Sequence, residues 1–185
     1  AHTEVVHYCG LPMYSTSGST DTKKMDMQSA MEASLSINAA MMSGANFVHD
    51  NGYTESGLTG DIFQTVMDDE IISMARVIER GVVVNEDTLA VKQINNVGPG
   101  GHYLYEDHTM DHFRDYWMPT LMDRNSYENW EKEGEKTLKD RVVEKTRDLI
   151  NNYEGPRDKV PAKADQEIED ILKESEERIK KQANS

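Results

Sequence analysis

The stretch from Met25 to Gly52 constrains the fold of this chain more than any other. Its first part is rich in Ala, Ser and Met and has no Pro or Gly before Gly44, which predicts a helix packed closely on more than one side. Gly44 is a typical helix stop, and a short apolar run, Ala45–Val48, follows it. That run ends in the polar sequence His-Asp-Asn-Gly, as a buried strand does at the ligand-bearing edge of a sheet. A helix, a tight turn and a strand in this order predict one unit of an α/β fold.

A short strand and a polar loop are predicted before this helix. Glu4–Tyr8 has the pattern of a helix end, Gly10 stops it, and Leu11–Tyr14 has the composition of a short strand. The loop Ser15–Thr22 is a run of small polar residues that contains Asp21. Two interpretations stay open here, a turn that leads into the helix and a functional loop with free N–H groups.

The next helix is predicted to start at Asp61, its cap, and to end at Gly81, because apolar residues recur between them at 3.6-residue spacing. The loop before it, Tyr53–Gly60, carries Glu55. Consecutive helical residues point in different directions, so the acidic run Asp68–Glu70 is predicted to be a solvated face rather than a metal site.

Two later motifs could carry chemistry. After a helix predicted to end at Ile94, three glycines and a proline lie in the segment Val97–Leu104 and give an irregular backbone that lets a ligand approach closely. His108 and His112 are four residues apart at the start of the next helix. They could be metal ligands, but no third ligand stands at a convincing spacing, so packing histidines and no metal are predicted.

The amino-acid composition of the chain changes near its end. An amphipathic helix is predicted up to about Asn152, and the segment Glu154–Lys163, with two prolines and alternating charge, is predicted to be a linker. Residues 165–182 are predicted to form a helix whose thin apolar stripe packs on another surface. The stripe consists of Ile168, Ile171, Leu172 and Ile179. Two parts are therefore predicted, 1–153 and 154–185.

Charge and composition narrow the function classes. The net charge of -14 is uneven, because the acidic excess lies before Glu131. Such a surface repels nucleic acid and mildly favours cationic substrates. One cysteine excludes a disulfide framework within the chain, and no apolar run approaches the roughly 20 residues of a membrane span, so a soluble, cytoplasmic protein is expected. The chain opens on Ala1 and its first residues have an interior character, which predicts a C-terminal piece of a longer protein.

Short motifs between about residues 4 and 150 occur in an order that resembles the C-terminal third of the trimethylamine methyltransferase family. They are Tyr8-x-Gly-Leu-Pro, Gly18-x-Thr-Asp-x-Lys with Asp26-x-Gln28, Ser43-Gly-Ala-Asn, Asp68-Asp-Glu-Ile, Val97-Gly-Pro-Gly-Gly-His-Tyr-Leu, and His108-Thr-Met-x-His-Phe-Arg with Trp117-x-Pro.

The resemblance implies a (β/α)8 TIM barrel of which this chain supplies the last strands and helices, helix-rich and with a C-terminal helical extension. It also implies transfer of a methyl group from a methylated amine to the cobalt of a corrinoid protein. The corrinoid would be carried by that partner and not bound directly, a homo-oligomer is expected, and this piece alone is expected to be inactive.

One branch of the family uses trimethylamine and carries pyrrolysine, whereas another lacks pyrrolysine and takes quaternary amines such as glycine betaine. No pyrrolysine is written in this chain, so both substrates stay open.

The chemistry and the position of the loops predict the site. A methylated amine is a poor electrophile unless its nitrogen is positively charged or held by the enzyme, and carboxylates and aromatic faces stabilise such a cation. Working residues of a barrel come from loops at the carboxyl ends of its strands. Asp21 and Glu55 are predicted as charge partners, and His49 as a hydrogen-bonding or proton-handling group. The predicted substrate-binding residues are Tyr53, Asp50, Gly100, Gly101 and His102.

Two alternatives from other classes remain open. The chain could be a structural or oligomerisation module whose chemistry lies elsewhere, or part of a barrel enzyme that binds phosphate in its late loops. Architecturally, the only strands are predicted near Leu11–Tyr14 and Ala45–His49, short, parallel and buried, with no closed barrel. Because parallel strands bring their carboxyl ends together, Asp21, His49 and Glu55 are predicted on one side of the sheet.

Overall fold

The computed structural model describes residues 1–155 and 160–183. Two compact units are present, Ala1–Asp148 and Leu149–Ser185. Part of the predicted linker, residues 156–159, lies outside the described residues. The boundary between residues 153 and 154 stays a prediction.

Helices dominate the described chain, and its sheets are small. The helices are α1 (His2–Tyr8), α2 (Met27–Met42), α3 (Ile62–Arg80), α4 (Glu86–Leu89), α5 (Val91–Val97), α6 (Asp107–His112), α7 (Tyr127–Lys132), α8 (Leu138–Asn151) and α9 (Ala162–Ala183). The strands are β1 (Tyr14–Thr16), β2 (Phe47–His49), β3 (Tyr53–Thr54) and β4 (Thr59–Gly60), with a 3-10 turn at Glu55–Gly57. A helix-rich α/β structure without a closed barrel among the described residues is therefore confirmed. Its origin in a TIM barrel stays a prediction.

Helix α2 begins and ends where the sequence predicts. Asp26 caps it, because its side chain accepts the N–H of Ser29 while the Ser29 hydroxyl accepts the N–H of Asp26. Small residues on one face, among them Ala33 and Ala40, are buried, so a neighbouring helix can approach closely.

That neighbour is α3, and the core of the first unit lies between the two helices. Asp61 caps α3 through the N–H groups of Phe63 and Gln64, as predicted. Leu121 and Val142 close the core from outside the pair. The buried apolar cluster consists of Met25, Ala33, Ile37, Met67, Ile71, Ala75, Leu121 and Val142.

Strands β1 and β2 are parallel, with Tyr14 opposite Phe47 and Thr16 opposite His49. The predicted direction is confirmed, but β1 begins at Tyr14 instead of Leu11. The prediction that these strands are buried is wrong. Tyr14 is 62% exposed and Phe47 56% exposed, because the helices cover only one face of this two-stranded sheet.

Two further strands contradict the prediction that the strands are all parallel. β3 and β4 form an antiparallel hairpin, with Tyr53 opposite Gly60 and Thr54 opposite Thr59. The sequence of this region suggests only a loop, because each strand has two residues and no alternation can be recognised over so short a run. The hairpin shapes the loop that carries Glu55.

The acidic run on α3 is not the predicted solvated face. Asp69 is exposed, but Asp68 and Glu70 are buried. Asp68 faces the segment after β2, whereas Glu70 accepts hydrogen bonds from the backbone N–H groups of Thr120, Leu121 and Met122. Consecutive helical residues do point in different directions, and two of these three directions lead to backbone donors that stabilise a buried carboxyl group.

Between α3 and Leu121 the chain is thinly packed. No residue from Gly81 to Thr120 is buried, although the segment contains three helices, α4, α5 and α6. The helix predicted to start at Asn85 or Asp87 and to run through Ile94 is interrupted at Ala90, which has a left-handed backbone. Trp117 ties the end of the segment to α3 by donating its Nε1–H to the Ser73 hydroxyl at 2.9 Å.

In the second unit, α9 confirms the predicted terminal helix. The four aliphatic residues of its stripe are between 49% and 63% exposed. Their packing on another surface stays a prediction. No helix in the described part of the chain is long and apolar enough to cross a membrane.

Candidate functional site at the strand ends

The segments that follow β1 and β2 lie side by side. The N–H of Ser17 donates to the carbonyl oxygen of His49 at 2.9 Å, one residue beyond the last paired position of β1. Further along, the N–H of Thr20 donates to the carbonyl oxygen of Tyr53 at 3.0 Å. Residues 17–22 and 50–57, here called the strand-end loops, therefore meet at the edge that the sequence predicts.

The strand-end loops also bring Asp21 close to Glu55. The N–H of Glu55 donates to Thr22 at 2.7 Å, and the N–H of Ser56 donates to Thr20 at 2.9 Å. The hydroxyl of Ser56 donates to the Asp21 carboxylate at 2.7 Å. The predicted grouping of Asp21, His49 and Glu55 on one side of the sheet is confirmed by these bonds, whereas their chemical roles stay predictions.

Backbone strain is concentrated in the second loop. Asp50, Glu55 and Ser56 have φ angles of 73°, 54° and 56°. A residue other than glycine in this left-handed region costs about 1–2 kcal/mol, and such residues are enriched at functional sites. The strain fixes the directions in which the Asp50 and Glu55 carboxylates leave the backbone.

Three rings are stacked on the face of β1 and β2 that the helices leave uncovered. Tyr14 and Phe47 are almost parallel, with centroids 5.0 Å apart, and the His49 ring lies 4.2 Å from that of Tyr14. The Nδ1 atom of His49 is 2.6 Å from Oδ1 of Asp50. A half-exposed π surface thus lies directly beside a carboxylate. The sequence predicts an aromatic wall from Tyr53 but misses Tyr14 and Phe47, which the i, i+2 alternation of Phe47 with His49 could have revealed.

The opposite face of the sheet looks toward the helices. Val48 and Ser17, which alternate with the stacked residues, line a crevice of about 260 Å³ together with Ile37 and Ile72. The two faces differ in character, because one has exposed rings whereas the other is closed by the side chains of α2 and α3. A charged ligand can therefore approach the stacked face.

A buried polar cluster supports the strand-end loops from below. Asp68 accepts the N–H of Gly52 and the side-chain amide of Gln64, both at 2.7 Å. Burial raises the pKa of Asp68 to about 6, and these two donors offset the rise only in part. Within the described chain, the buried oxygens Ser17 Oγ, Asn51 Oδ1 and Gln64 Oε1 have no hydrogen-bond partner. Sequence reasoning misses this cluster, because Asp68 meets Gly52 only in the folded chain.

The glycine loop after α5 makes only local contacts. The hydrogen bonds and ring contacts of residues 98–105 join neighbours in the chain, for example the His102 ring and the Tyr105 ring at 5.1 Å. No such contact of the described residues links Gly100, Gly101 or His102 to the strand-end loops. Their part in substrate binding stays a prediction.

Comparison with known proteins decides the family. A family model described as "Trimethylamine methyltransferase (MTTB)" matches residues 2–180. The chain belongs to the trimethylamine methyltransferase family. The resemblance of its motifs to this family is thereby confirmed.

Curated members of the trimethylamine methyltransferase family align with most of the chain. It is 34% identical over 171 residues to a glycine betaine methyltransferase of Desulfitobacterium hafniense, which covers 91% of this chain and 34% of that protein. It is 32% identical to a trimethylamine methyltransferase of the same species over 94% of this chain and 35% of that protein. For a trimethylamine methyltransferase of Methanosarcina barkeri, the identity is 32% over 82% of this chain and 30% of that protein. The chain thus spans about a third of the length of these relatives.

Proposed function

We propose that the protein to which this chain belongs transfers a methyl group from a methylated amine to the cobalt of a corrinoid protein, a partner that carries the corrinoid. The strand-end loops and the ring stack would hold the amine in this family member. The observation that carries the proposal is the half-exposed stack of Tyr14, Phe47 and His49 beside the Asp50 carboxylate. Aromatic faces together with carboxylates are the usual means of binding a methylated ammonium group.

The reaction needs a positively charged nitrogen. The bond between nitrogen and the methyl carbon breaks, its electron pair stays on the leaving amine, and the methyl carbon forms a bond to the reduced cobalt of the partner. A quaternary amine already has the charge, whereas trimethylamine must first gain a proton or another substituent. Only interactions that are stronger in the transition state than in the bound substrate accelerate this step.

Asp21 and Glu55 are the proposed charge partners. Each carboxylate already accepts a hydroxyl hydrogen bond, from Ser56 at 2.7 Å and from Thr59 at 3.0 Å, which fixes its orientation. Preorganised charge costs little reorganisation during the reaction. The two carboxylates would thus attract the cationic amine and hold its methyl group toward the approaching cobalt.

His49 is proposed to hold the leaving amine. Its Nδ1 atom faces Asp50, so this carboxylate selects the tautomer that has the proton on Nδ1 and leaves Nε2 as an acceptor. Nε2 could accept a hydrogen bond from a protonated amine or orient a polar group of the substrate. Asp50, Tyr53, Gly100, Gly101 and His102 are proposed as further substrate-binding residues.

The names of the relatives leave two substrates for the test, because one is a glycine betaine methyltransferase and others are trimethylamine methyltransferases. The full-length protein is mixed with a corrinoid protein in the Co(I) state, and methyl-cobalt formation is followed by absorbance with each amine. Turnover with one amine supports the proposal. No methyl transfer from any methylated amine, combined with normal folding, would favour a structural module, and tight binding of inorganic phosphate would favour the phosphate-binding alternative.

Variants of the ring stack test whether these aromatic rings bind the amine. Phe47→Leu removes one of the three rings of the stack. It should raise the KM for a quaternary amine by roughly 2- to 30-fold, the range of one cation–π contact. Phe113→Leu is a matched control, because Phe113 is 55% exposed, compared with 56% for Phe47, and lies outside the ring stack. Equal kinetics of the two variants would contradict a role of the stack.

A further inference from the structure

A cluster of two histidines and one aspartate lies on α4 and α6, outside the strand-end loops. His108 and His112 are one helical turn apart on α6, and their ring centroids are 4.4 Å apart. Asp87 of α4 faces both rings. Its carboxylate oxygens lie 3.5 Å from Nε2 of His108 and 3.1 Å from Nε2 of His112. The third potential ligand, which the sequence does not reveal, is thus supplied by Asp87, which lies 21 residues before His108 in the chain.

We propose that Asp87, His108 and His112 bind a divalent transition-metal ion of the Zn²⁺ type. One ligand atom of each residue lies within 4.8 Å of the other two. Ligand atoms bound to Zn²⁺ at about 2.0–2.1 Å in a tetrahedron are about 3.3 Å apart. The observed spacing is similar, because each histidine Nε2 lies 3.5 or 3.1 Å from a different oxygen of the Asp87 carboxylate. Two imidazoles and one carboxylate form a ligand set of known zinc sites and leave a fourth position open.

The surroundings of His112 match those of a metal ligand. Its Nε2 atom faces Asp87, while its Nδ1 atom is 2.8 Å from the carboxylate of Asp115. Metal-bound histidines usually donate their second ring N–H to a carboxylate or carbonyl oxygen, which fixes the tautomer and the ring orientation. Asp115 would thus orient His112. Nε2 of His108 also contacts the carbonyl oxygen of Asp87 at 2.9 Å, and a bound ion would replace that contact.

The packing of this segment gives the ion a structural role. Among residues 81–120 none is buried, so α4 and α6 have no apolar core that holds them together. A metal ion joins such segments because its binding free energy becomes stabilisation of the folded arrangement. The proposed ion therefore strengthens a link between two short helices that already includes the polar contacts of Asp87 with both histidines.

Binding is tested with Co²⁺ as a spectroscopic probe and Zn²⁺ as a competitor, in a Cys9→Ser background because the exposed thiol could bind either ion. One Co²⁺ per chain should bind with the absorption bands of a four- or five-coordinate ion, and Zn²⁺ should displace it. His108→Ala, His112→Ala and Asp87→Asn should abolish binding, and Asp115→Asn should weaken it by about 10- to 100-fold. His2→Ala is the matched control and should bind normally.

A second measurement needs no variant. Zn²⁺ should slow hydrogen exchange of the backbone amides of α4 and α6 in the unmodified protein, and leave the amides of α2 unchanged. The proposal is overturned if Zn²⁺ leaves the exchange of the α4 and α6 amides unchanged. It is also overturned if the double variant His108→Ala with His112→Ala binds Co²⁺ as the control does. Asp87 would then be only a hydrogen-bonding partner of the two histidines.

Discussion

The backbone N–H of Gly52 donates a 2.7 Å hydrogen bond to the carboxyl group of Asp68, and this bond fastens the loop after β2 to α3. Asp68 is fully buried and Gly52 lies at the edge of the candidate site. A buried carboxylate is costly unless it is well paired, and two donors offset only part of that cost here. The position of the loop is thus coupled to the protonation of one side chain.

Asp68→Asn should change how stability depends on pH. The pKa of Asp68 is about 6 in the folded chain and near 3.8 when unfolded, so the folded state binds a proton more tightly. The contribution of Asp68 to stability is therefore fully present below pH 4 and is lost as the pH rises to about 6. Between pH 4 and pH 7, the free energy of unfolding should shift in favour of the variant by about 2 kcal/mol. Denaturant unfolding at both pH values measures this shift.

The asparagine can keep the contacts of the cluster. Its carbonyl oxygen can accept the N–H of Gly52. Its amide can donate to Gln64 Oε1 once the Gln64 side-chain amide turns over, since Nε2 faces this position in the structure. Asp69→Asn, a change of the exposed neighbour, is the control and should show no such shift. A parallel pH dependence of wild type and Asp68→Asn would refute the raised pKa.

Glu70→Gln should destabilise the protein with the opposite pH dependence. Burial alone would raise the pKa of Glu70, but donors from Leu121, Thr120 and Met122 together lower it. The contribution of Glu70 is therefore present at neutral pH and is lost as the pH falls through the lowered pKa. A glutamine amide would face several N–H donors, so a loss of about 2–4 kcal/mol is expected at pH 7. The loss should shrink as the pH falls below the ordinary glutamate value of 4.5, and a loss that stays constant with pH would argue against an ionised Glu70.

Gly18→Ala should be more harmful than Gly10→Ala. Both glycines have positive φ angles, 77° and 70°, so each substitution has a backbone cost of about 1–2 kcal/mol. A Cβ atom on Gly18 would lie 2.5 Å from Asn51 Oδ1 and 3.0 Å from the Asn51 Cα, whereas nothing lies within 4 Å at Gly10. We expect Gly18→Ala to lose roughly 1–3 kcal/mol more in denaturant unfolding. Similar losses would mean that the strand-end loops separate easily.

Glu55→Gln in the full-length protein should slow methyl transfer while the fold remains stable. Glutamine can still accept the hydroxyl of Thr59 but has no charge to partner a cationic amine. We expect kcat/KM to fall by about 100-fold and the free energy of unfolding to change by less than about 0.5 kcal/mol. Glu4→Gln changes a carboxylate whose side chain is 84% exposed and serves as the control. An unchanged rate would remove Glu55 from the proposed site.

Removal of residues 160–185 from the full-length protein should reduce the number of subunits in its assembly, as measured by its mass in solution. Helix α9 has 22 residues and presents four half-exposed aliphatic side chains, an area that another subunit can cover. Ile171→Glu should weaken the assembly as the deletion does, and Lys173→Glu should not. If the mass and the thermal midpoint both stay unchanged after deletion, the stripe of α9 has no role in assembly.

The sequence predicts the parts of this fold that depend on local chemistry. The predicted cap Asp61 and the predicted stops at Gly44 and Gly81 locate the end of α2 and both ends of α3 to within about two residues. The parallel pairing of β1 with β2 follows from the order of the elements. The start of β1 was misplaced because the Asn46 side chain accepts the N–H of Met13, a tertiary contact that leaves Leu11 to Met13 outside the strand.

The candidate site is predicted only where it depends on strand order. The meeting of Asp21 with Glu55 follows from parallel strands, whereas the burial of Asp68 depends on an N–H sixteen residues away and has no local signal. The distance of Asp87 from His108 and His112 also depends on a chain reversal that no motif encodes.

The alternation of faces in β1 and β2 limits how this region can change during evolution. A slip of the β2 register by one residue would move Phe47 and His49 to the helical side and bring Val48 among the rings. Insertions in the segment 81–120 would displace no buried side chain. Homologues of this protein should therefore differ in length between α3 and Leu121, while the spacing from Phe47 to Gly52 should remain fixed.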